Sequence, residues 1–394
     1  MSIEYSGLIS EVVSSLAPSG IRRFFDIAAS MEGCISLGVG EPDFVTPWII
    51  RQAGIESLER GRTWYTSNNG IQELRDAIAD YQLRRFSLSY NPQKEILVTV
   101  GGSEAIDLCF RTLVSPGDEV IIPTPCFVAY EAIAKINRAK IIPIATRPED
   151  GFRLNAAALK AAITEKTKLL VFPFPSNPTG AVMRKEHLEE IANVLKGTDI
   201  IVLSDEIYAE LTYGDSKHVS IASINEDMYH RTVLVSGFSK AFAMTGWRLG
   251  YTCGPQAVVE QMLKVHQYAI MCAPTMAQFA GVVALRECDD VVEDMMEQYA
   301  MRRRFVVDTF NRLNLPCFEP LGAFYVFPSL KATGMSSQQF CERLLQQKKV
   351  ALVPGDAFGN SGEGYVRVSY SYSLTHLSQA FQRIEEFLKD EGTI

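Results

Sequence analysis

The stretch VLVSGFSKAFAMTGWRLG, residues 233–250, decides how this chain is interpreted. It begins with an apolar, β-prone run, turns through small residues, and reaches Lys240 just past the predicted strand. A lysine placed there is poorly solvated, which lowers the pKa of its amine and makes it a usable nucleophile. The alternative is an ordinary surface lysine that follows a strand. A second cation, Arg248, lies near the end of the same stretch.

The composition excludes several classes of protein. The 394 residues, 47% of them hydrophobic, are enough for a large core and predict two domains. The formal net charge of −8 argues against a nucleic-acid or anionic-membrane partner. The eight cysteines show no C-x-x-C and the five histidines are scattered, so we expect buried reduced thiols and no metal site. There is no signal-peptide pattern and no apolar run of membrane-spanning length, so we expect a cytoplasmic protein.

Predicted strands and helices alternate before the lysine and change character after it. Strands are predicted at 96–100, 119–123, 141–144, 169–174, 200–203 and 233–235, which predicts an α/β fold with a mainly parallel sheet between helices. Residues 256–313 are predicted to be helical, with Arg302, Arg303 and Arg304 on a solvated face. Predicted strands near 322–329 and 365–370, with helices near 336–348 and 375–389, indicate a smaller α+β domain.

Three of the predicted strands end in polar residues that could share one ligand. The strand at 169 leads to Asn177, the strand at 200 leads to Asp205 and Tyr208, and the strand at 233 leads to Lys240. In such sheets, ligands bind beyond the carboxyl ends of the strands. A turn explains Asn177 alone, and a helix cap explains Asp205 alone. Coincidence explains all three together much less well, so they predict one site.

Two glycine-containing turns and one arginine could hold anions. A Gly-Gly-Ser run at 101–103 precedes a predicted helix, and free N–H groups at Gly102 and Ser103 would attract an anion, although capping explains Ser103 equally well. The Gly-x-Gly at 38–40 lacks the third glycine of a dinucleotide fingerprint but leaves an N–H near Gly40 able to receive a carboxylate. Arg367, flanked by valines in a predicted strand, needs either a bidentate carboxylate ligand or an internal salt bridge.

Five motifs occur in a characteristic order: GVGEPDF at 38–44, SNPTG at 176–180, SDEIY at 204–208, GFSKAFAMTGWRLG at 237–250 and VRVS at 366–369. Together they resemble the pyridoxal-phosphate-dependent class I/II aminotransferases of fold type I, over nearly the whole chain. The prokaryotic aromatic and broad-range branch is most similar, at SGIRRFFDIA (19–28), PTPCFVAY (123–130) and the lysine motif. The resemblance implies a large domain (45–285) with a mainly parallel seven-stranded sheet, a smaller α+β domain (286–394), and an N-terminal segment (1–44) that packs with the smaller domain.

The resemblance also implies a role for each residue of the predicted site. Lys240 would bind pyridoxal phosphate covalently and then move a proton as general base and acid. Asp205 would pair with the protonated ring nitrogen, which keeps the ring an electron sink. Asn177 and Tyr208 would hydrogen-bond the ring oxygen O3′, and Phe127 would stack on the ring.

A second group of residues would bind the phosphate and the substrate. The phosphate would contact Gly102, Ser103, Arg248 as counter-charge, Ser239 as a hydroxyl donor, and Tyr65 from the neighbouring subunit. The substrate α-carboxylate would bind Arg367, helped by Asn177 and the backbone at Gly40. The resemblance therefore implies a homodimer with shared active sites.

Three departures from the family pattern bear on the phosphate and on the substrate. Gly237 stands where many relatives carry a phosphate-binding serine, and Phe127 stands where many carry tryptophan or tyrosine. No arginine for a distal carboxylate is identifiable. Residues 15–25, with Leu16 and Ile21, are expected to form part of an apolar side-chain pocket.

We therefore expect an aminotransferase that moves the amino group of an L-amino acid, with an aromatic donor expected, to a 2-oxo acid such as 2-oxoglutarate. The alternatives are a C–S β-lyase and an aminotransferase for aspartate or a diaminopimelate-type substrate, because all need Lys240, Asp205 and Arg367. A ligand-binding regulator is disfavoured because no DNA-binding module is recognisable before residue 30. A nicotinamide dehydrogenase is disfavoured by the incomplete Gly-x-Gly.

Overall fold

The computed structural model describes residues 5, 7–17 and 30–394. The SGIRRFFDIA motif at 19–28, including Ile21 of the expected pocket, lies outside the described residues. The strands are β1 (Ile35–Ser36), β2 (Ile96–Thr99), β3 (Glu119–Thr124), β4 (Lys140–Ala145), β5 (Thr167–Phe172), β6 (Ile201–Asp205), β7 (Thr232–Gly237), β8 (Gly250–Cys253), β9 (Tyr325–Val326), β10 (Val350–Ala351), β11 (Val353–Pro354) and β12 (Val366–Ser369).

The predicted helical region at 256–313 is divided into three helices, and those predicted near 336–348 and 375–389 lie close to their expected positions. The α-helices of the described residues alternate with the strands over much of the chain. They are α1 (Glu11–Ser14), α2 (Trp48–Glu59), α3 (Gln72–Phe86), α4 (Gly101–Leu113), α5 (Ala129–Ile136), α6 (Ala156–Ala162), α7 (Lys185–Leu195), α8 (Glu226–Arg231), α9 (Gln256–Ala269), α10 (Thr275–Glu287), α11 (Asp289–Arg312), α12 (Ser337–Lys348) and α13 (Leu374–Asp390).

A seven-stranded sheet is the centre of the larger part of the fold. Its spatial order is β2-β8-β7-β6-β5-β3-β4, and the strands are parallel except β8, which is antiparallel to both of its neighbours. The central strands are apolar and almost entirely buried, as expected for a sheet that is covered on both faces. The predicted α/β fold with a mainly parallel seven-stranded sheet is therefore confirmed.

Successive residues of a central strand pack on opposite faces of the sheet. Val233 and Val235 of β7 belong to a core shared with α4, α5 and α9, whereas Leu234 belongs to a core shared with α3 and α10. Helices thus cover the sheet on both sides. Polar side chains at the carboxyl ends of β5, β6 and β7 therefore meet in the space above that edge.

The smaller sheets bring the beginning and the end of the chain together. β1 pairs in parallel with β10, while β11, β12 and β9 form a three-stranded antiparallel sheet. Within the predicted strand at 322–329, only Tyr325 and Val326 form strand structure. The division into residues 1–44, 45–285 and 286–394 stays a prediction.

The arginine run at 302–304 was predicted to be solvated, and this is wrong for its first two members. Arg302 is buried, forms an ion pair with Asp43 at 2.7 Å, and lies 4.9 Å from the centre of the Phe44 ring. Arg303 is largely covered as well and pairs with Glu319 at 3.1 Å. The reason is that α11 lies against the 38–44 loop, whose acidic and aromatic side chains are good partners for a guanidinium.

All eight cysteines are free thiols, but the predicted burial is wrong for Cys34, Cys272 and Cys317, which are only partly buried. No helix in the described part of the chain is long and apolar enough to cross a membrane. Within the same residues, no three His, Cys, Asp or Glu side chains are grouped so that they could hold a metal ion.

Candidate functional site

A cavity of about 350 Å³ lies at the carboxyl ends of β5, β6 and β7. Every residue predicted to bind the cofactor or the substrate carboxylate, with one exception, contributes to its wall: Gly40, Gly102, Ser103, Phe127, Asn177, Asp205, Tyr208, Ser239, Lys240, Arg248 and Arg367. The exception is Tyr65, which is 76% exposed and lies in the loop between α2 and α3. Leu16, expected in the side-chain pocket, does not line this cavity.

Lys240 follows β7 and extends into the cavity. Its Nζ donates a hydrogen bond to the carbonyl oxygen of Gly40 at 2.5 Å. Burial, reinforced by the positive charge of Arg367, lowers the pKa of the amine from 10.5 to about 8, although Glu41 opposes the shift. The alternative of an ordinary surface lysine is therefore wrong, and near physiological pH a larger fraction of this amine is neutral than in a solvated lysine.

Asp205, the last residue of β6, is buried at the cavity wall. Its carboxylate accepts hydrogen bonds from the Tyr130 hydroxyl at 2.6 Å and from the Ile207 N–H at 3.1 Å. Burial raises the pKa of Asp205, while both hydrogen bonds oppose this by stabilising the charged form. Sequence reasoning missed Tyr130. Its position in the PTPCFVAY motif, three residues after Phe127, was the available signal.

Arg367 is a buried cation on β12 that forms no ion pair with any Asp or Glu of the described residues. Its Nη1 donates to Asn177 Oδ1 at 3.0 Å, its Nη2 donates to the Gly38 carbonyl, and its Nε has no partner. The guanidinium lies 4.5 Å from the centre of the Tyr325 ring and 4.9 Å from the centre of the Phe358 ring. Burial lowers the pKa of Arg367. The internal salt bridge considered from the sequence is therefore wrong.

The first turn of α4 lies against a second cation, Arg248. Gly101 has φ of +74°, and a Cβ there would be 2.6 Å from Arg248 Nη2. Gly250 in β8 also permits this arrangement, because its Cβ would be 2.5 Å from the Gly101 carbonyl carbon and 2.6 Å from the Gly102 nitrogen. Free N–H groups at a helix start and a guanidinium together form a site that an anion could occupy.

The departure at Gly237 has a packing reason. Gly237 is the register partner of Gly250, and a Cβ at Gly237 would lie 3.0 Å from Gly250 Cα and 3.1 Å from the Leu249 carbonyl oxygen. A serine here would push against backbone. Ser239 lines the cavity and is largely buried, so its hydroxyl is available in the same region.

Tyr208 and Phe127 complete the cavity wall. The Tyr208 hydroxyl lies 2.8 Å from the Tyr325 hydroxyl, and burial raises the pKa of Tyr208. Phe127 meets Tyr130 edge to face, with ring centres 5.8 Å apart. Tyr325 is another wall residue that sequence reasoning missed, because nothing in the pattern GAFYVFPS distinguishes a ligand-facing tyrosine from a core one.

Comparisons with known proteins match nearly the whole chain. The profile of the family "Aminotransferase class I and II" matches residues 32–384. "Putative aminotransferase YugH" of Bacillus subtilis (strain 168) is 54% identical over 96% of this chain and 98% of its own length. "Aspartate aminotransferase" of Pyrococcus abyssi (strain GE5 / Orsay) is 44% identical over 97% and 99%. The crystal structure of the aromatic aminotransferase from Pyrococcus horikoshii OT3 is 41% identical, with a TM-score of 0.90, over 95% of this chain and all of that one.

Proposed function

The chain belongs to the class I and II aminotransferases, and we propose that it uses pyridoxal phosphate to move the amino group of an aromatic L-amino acid to a 2-oxo acid such as 2-oxoglutarate. The aminotransferase activity follows from the family. The cofactor, the donor and the acceptor are the proposal, and the named relatives include both aspartate and aromatic enzymes.

The main support for an amino-acid substrate is the guanidinium of Arg367, which has no anionic partner among the described residues. A buried cation without an anionic partner is costly, and a carboxylate supplied by a ligand removes that cost. Arg367 lies at the same cavity as the Lys240 amine. A molecule that has a carboxylate beside its reacting carbon matches this pair of groups.

The donor set of the cavity also fits pyridoxal phosphate. The amine of Lys240 suits its aldehyde, the carboxylate of Asp205 suits its ring nitrogen, and the anion site beside Arg248 suits its phosphate. When bound, the cofactor supplies an electron sink that stabilises negative charge at the substrate α-carbon.

We propose one function for each residue of the wall. Lys240 would hold the cofactor and move the proton taken from the substrate Cα; Asp205 would keep the ring nitrogen protonated. The remaining contacts would be Asn177 and Tyr208 at the ring oxygen, Phe127 on the ring face, Gly102, Ser103, Ser239 and Arg248 at the phosphate, and Arg367, Asn177 and Gly40 at the substrate carboxylate.

The preference for an aromatic donor rests on the remainder of the wall. It includes Val39, Ile106, Pro173, Pro175 and Tyr325, which are apolar or aromatic. Among the described wall residues, the only cations are Lys240, Arg248 and Arg367. Because all three bind the cofactor or the substrate α-carboxylate in this proposal, a carboxylate on the substrate side chain would have no cationic partner among the described wall residues.

The homodimer is supported by Tyr65 and its surroundings. Hydrogen bonds from Thr275 to the Trp64 carbonyl, at 2.7 Å, and from Gln278 to Thr66, at 3.0 Å, anchor the loop on both sides of Tyr65. Tyr65 and Trp64 are nevertheless mostly exposed, as is Tyr268. Large aromatic side chains held outward on an anchored loop are typical of an interface, and a second copy of this chain is the partner we propose.

Stopped-flow absorbance of the half-reaction tests the proposed donor. The cofactor-loaded enzyme is mixed with phenylalanine, tyrosine, aspartate, alanine, cystathionine or a diaminopimelate derivative, without an acceptor. We expect the aromatic donors to give the highest ratio of rate to half-saturating concentration, because the apolar wall binds their side chains. A higher ratio for aspartate would contradict the proposed donor, while cystathionine converted to ammonia and pyruvate would indicate the lyase alternative.

A further inference from the structure

Tyr325 is placed by strand pairing next to the substrate-binding arginine. It is the register partner of Ser369, and Ser369 and Arg367 occupy the same face of β12 because they are two residues apart. Tyr325 therefore lies diagonally across from Arg367, where a large ring can reach it. The observed distance from the guanidinium to the ring centre is 4.5 Å, which is a cation–π contact.

The hydroxyl of the same side chain reaches a different part of the site. It lies 2.8 Å from the Tyr208 hydroxyl, and Tyr208 is its only hydrogen-bond partner in the described residues. It also packs so closely on Gly40 that a Cβ at that position would overlap it. The Gly40 carbonyl in turn accepts the hydrogen bond from Lys240. One buried tyrosine thus contacts three elements of the site.

We propose that Tyr325 is a positioning residue that aligns the Tyr208 hydroxyl and the Arg367 guanidinium. This inference rests on the proposed function, in which those groups bind the cofactor ring oxygen and the substrate carboxylate. Between two phenols, only one hydroxyl can donate to the other. When Tyr208 donates its own proton into the cavity, Tyr325 has to be the donor between them. Such a chain of hydrogen bonds makes Tyr208 a stronger donor.

The two parts of Tyr325 can be separated by substitution. Tyr325→Phe keeps the ring against Arg367 and removes the hydroxyl, so the KM for the amino donor should stay within about twofold while kcat falls about tenfold. The pH midpoint of the visible absorbance of the loaded enzyme, measured without substrate, should rise by about half a unit because Tyr208 donates more weakly. Tyr325→Leu also removes the ring and should raise KM by about tenfold.

A matched control separates positioning from a general loss of packing. Tyr370 is also buried and donates to the Ala323 carbonyl at 3.0 Å, but it does not line the cavity. Tyr370→Phe removes a phenolic hydroxyl of the same kind, and it should leave kcat, KM and the absorbance midpoint unchanged.

A double-mutant cycle provides the decisive test. If Tyr325 acts through Tyr208, Tyr325→Phe should have its full effect on kcat and on the absorbance midpoint in the wild-type background and almost none in the Tyr208→Phe background. Equal effects in both backgrounds, or a Tyr325→Phe enzyme with wild-type kcat and midpoint, would overturn this inference and leave the proposed function standing. A wild-type protein that neither binds pyridoxal phosphate nor transfers an amino group would overturn the proposed function and this inference with it.

Discussion

At the scale of single residues, the site contains buried charged side chains that do not all have a partner of opposite charge. Lys240 loses solvation, and its neighbours Arg367 and Arg248 add positive charge, so the pKa of its amine falls to about 8. Below that pH, the lysine is protonated in both the folded and the unfolded chain, and the folded protein bears the cost of burial. Between about 8 and 10.5, the unfolded chain binds the extra proton, so this residue increases stability as the pH rises.

The same shift predicts how the protein without cofactor takes up pyridoxal phosphate. Only the neutral amine attacks an aldehyde, so the rate of uptake should rise with pH and level off above about 8. Stopped-flow absorbance from pH 6 to 10 measures this rate. Nα-acetyl-lysine is the control for ionisation of the cofactor itself, and its rate should still be rising near pH 10. A midpoint near 10.5 for the protein would mean that Lys240 is fully solvated.

Asp205 shows why a neighbouring hydroxyl matters at this scale. Burial alone would favour the neutral acid, which cannot form an ion pair with a protonated ring nitrogen. The hydrogen bonds from Tyr130 and from the Ile207 N–H oppose this effect of burial by stabilising the carboxylate, although the pKa of Asp205 is still raised. Tyr130 thus contributes to the site through Asp205.

At the scale of elements, the strands could be predicted from the sequence because their apolar runs recur along the chain. The contacts between residues that are far apart in the sequence could not. Strands β5, β6 and β7 are recognisable as apolar runs, and their ends carry Asn177, Asp205 and Lys240, so the edge of the sheet could be predicted. The partners of these residues come from distant parts of the chain. Tyr325 is 117 residues from Tyr208, and no local pattern indicates that they meet.

Packing constraints between elements could not be predicted from the sequence either. Gly237 departs from the family pattern, in which many relatives carry a serine. In the structure, β7, β8 and the first turn of α4 approach too closely there for side chains. The arginines at 302–304 had the pattern of a solvated face, yet Arg302 binds Asp43 because α11 meets the 38–44 loop. Such contacts depend on tertiary structure, which propensity and periodicity do not encode.

At the scale of the whole molecule, the proposal requires a second chain. The cavity contains every residue predicted to bind the cofactor or the substrate carboxylate except Tyr65, whose loop is anchored but whose side chain points to solvent within one chain. If Tyr65 donates to the phosphate in the neighbouring subunit, Tyr65→Ala should weaken cofactor binding by at least about tenfold, as expected for a hydrogen bond to a charged group.

Mixed dimers test whether Tyr65 acts across the interface. One tagged chain carries Tyr65→Ala and the other carries Lys240→Ala, and the mixed species is purified through both tags. At limiting cofactor, we expect about half of the wild-type activity per dimer, because one site combines an intact Lys240 with an intact Tyr65 from the other chain. Activity no higher than that of the Tyr65→Ala homodimer would mean that Tyr65 does not serve the neighbouring site.

The central claim is that Lys240 is the covalent attachment point of the cofactor, and one measurement addresses it directly. The protein loaded with pyridoxal phosphate is reduced with borohydride, which makes the bond to lysine permanent, and is then digested and sequenced by mass spectrometry. Lys240→Ala, treated in the same way, is the control and should carry no label and no transfer activity. We predict that the label is on Lys240; a label on another lysine of an active preparation, or none, would contradict the account.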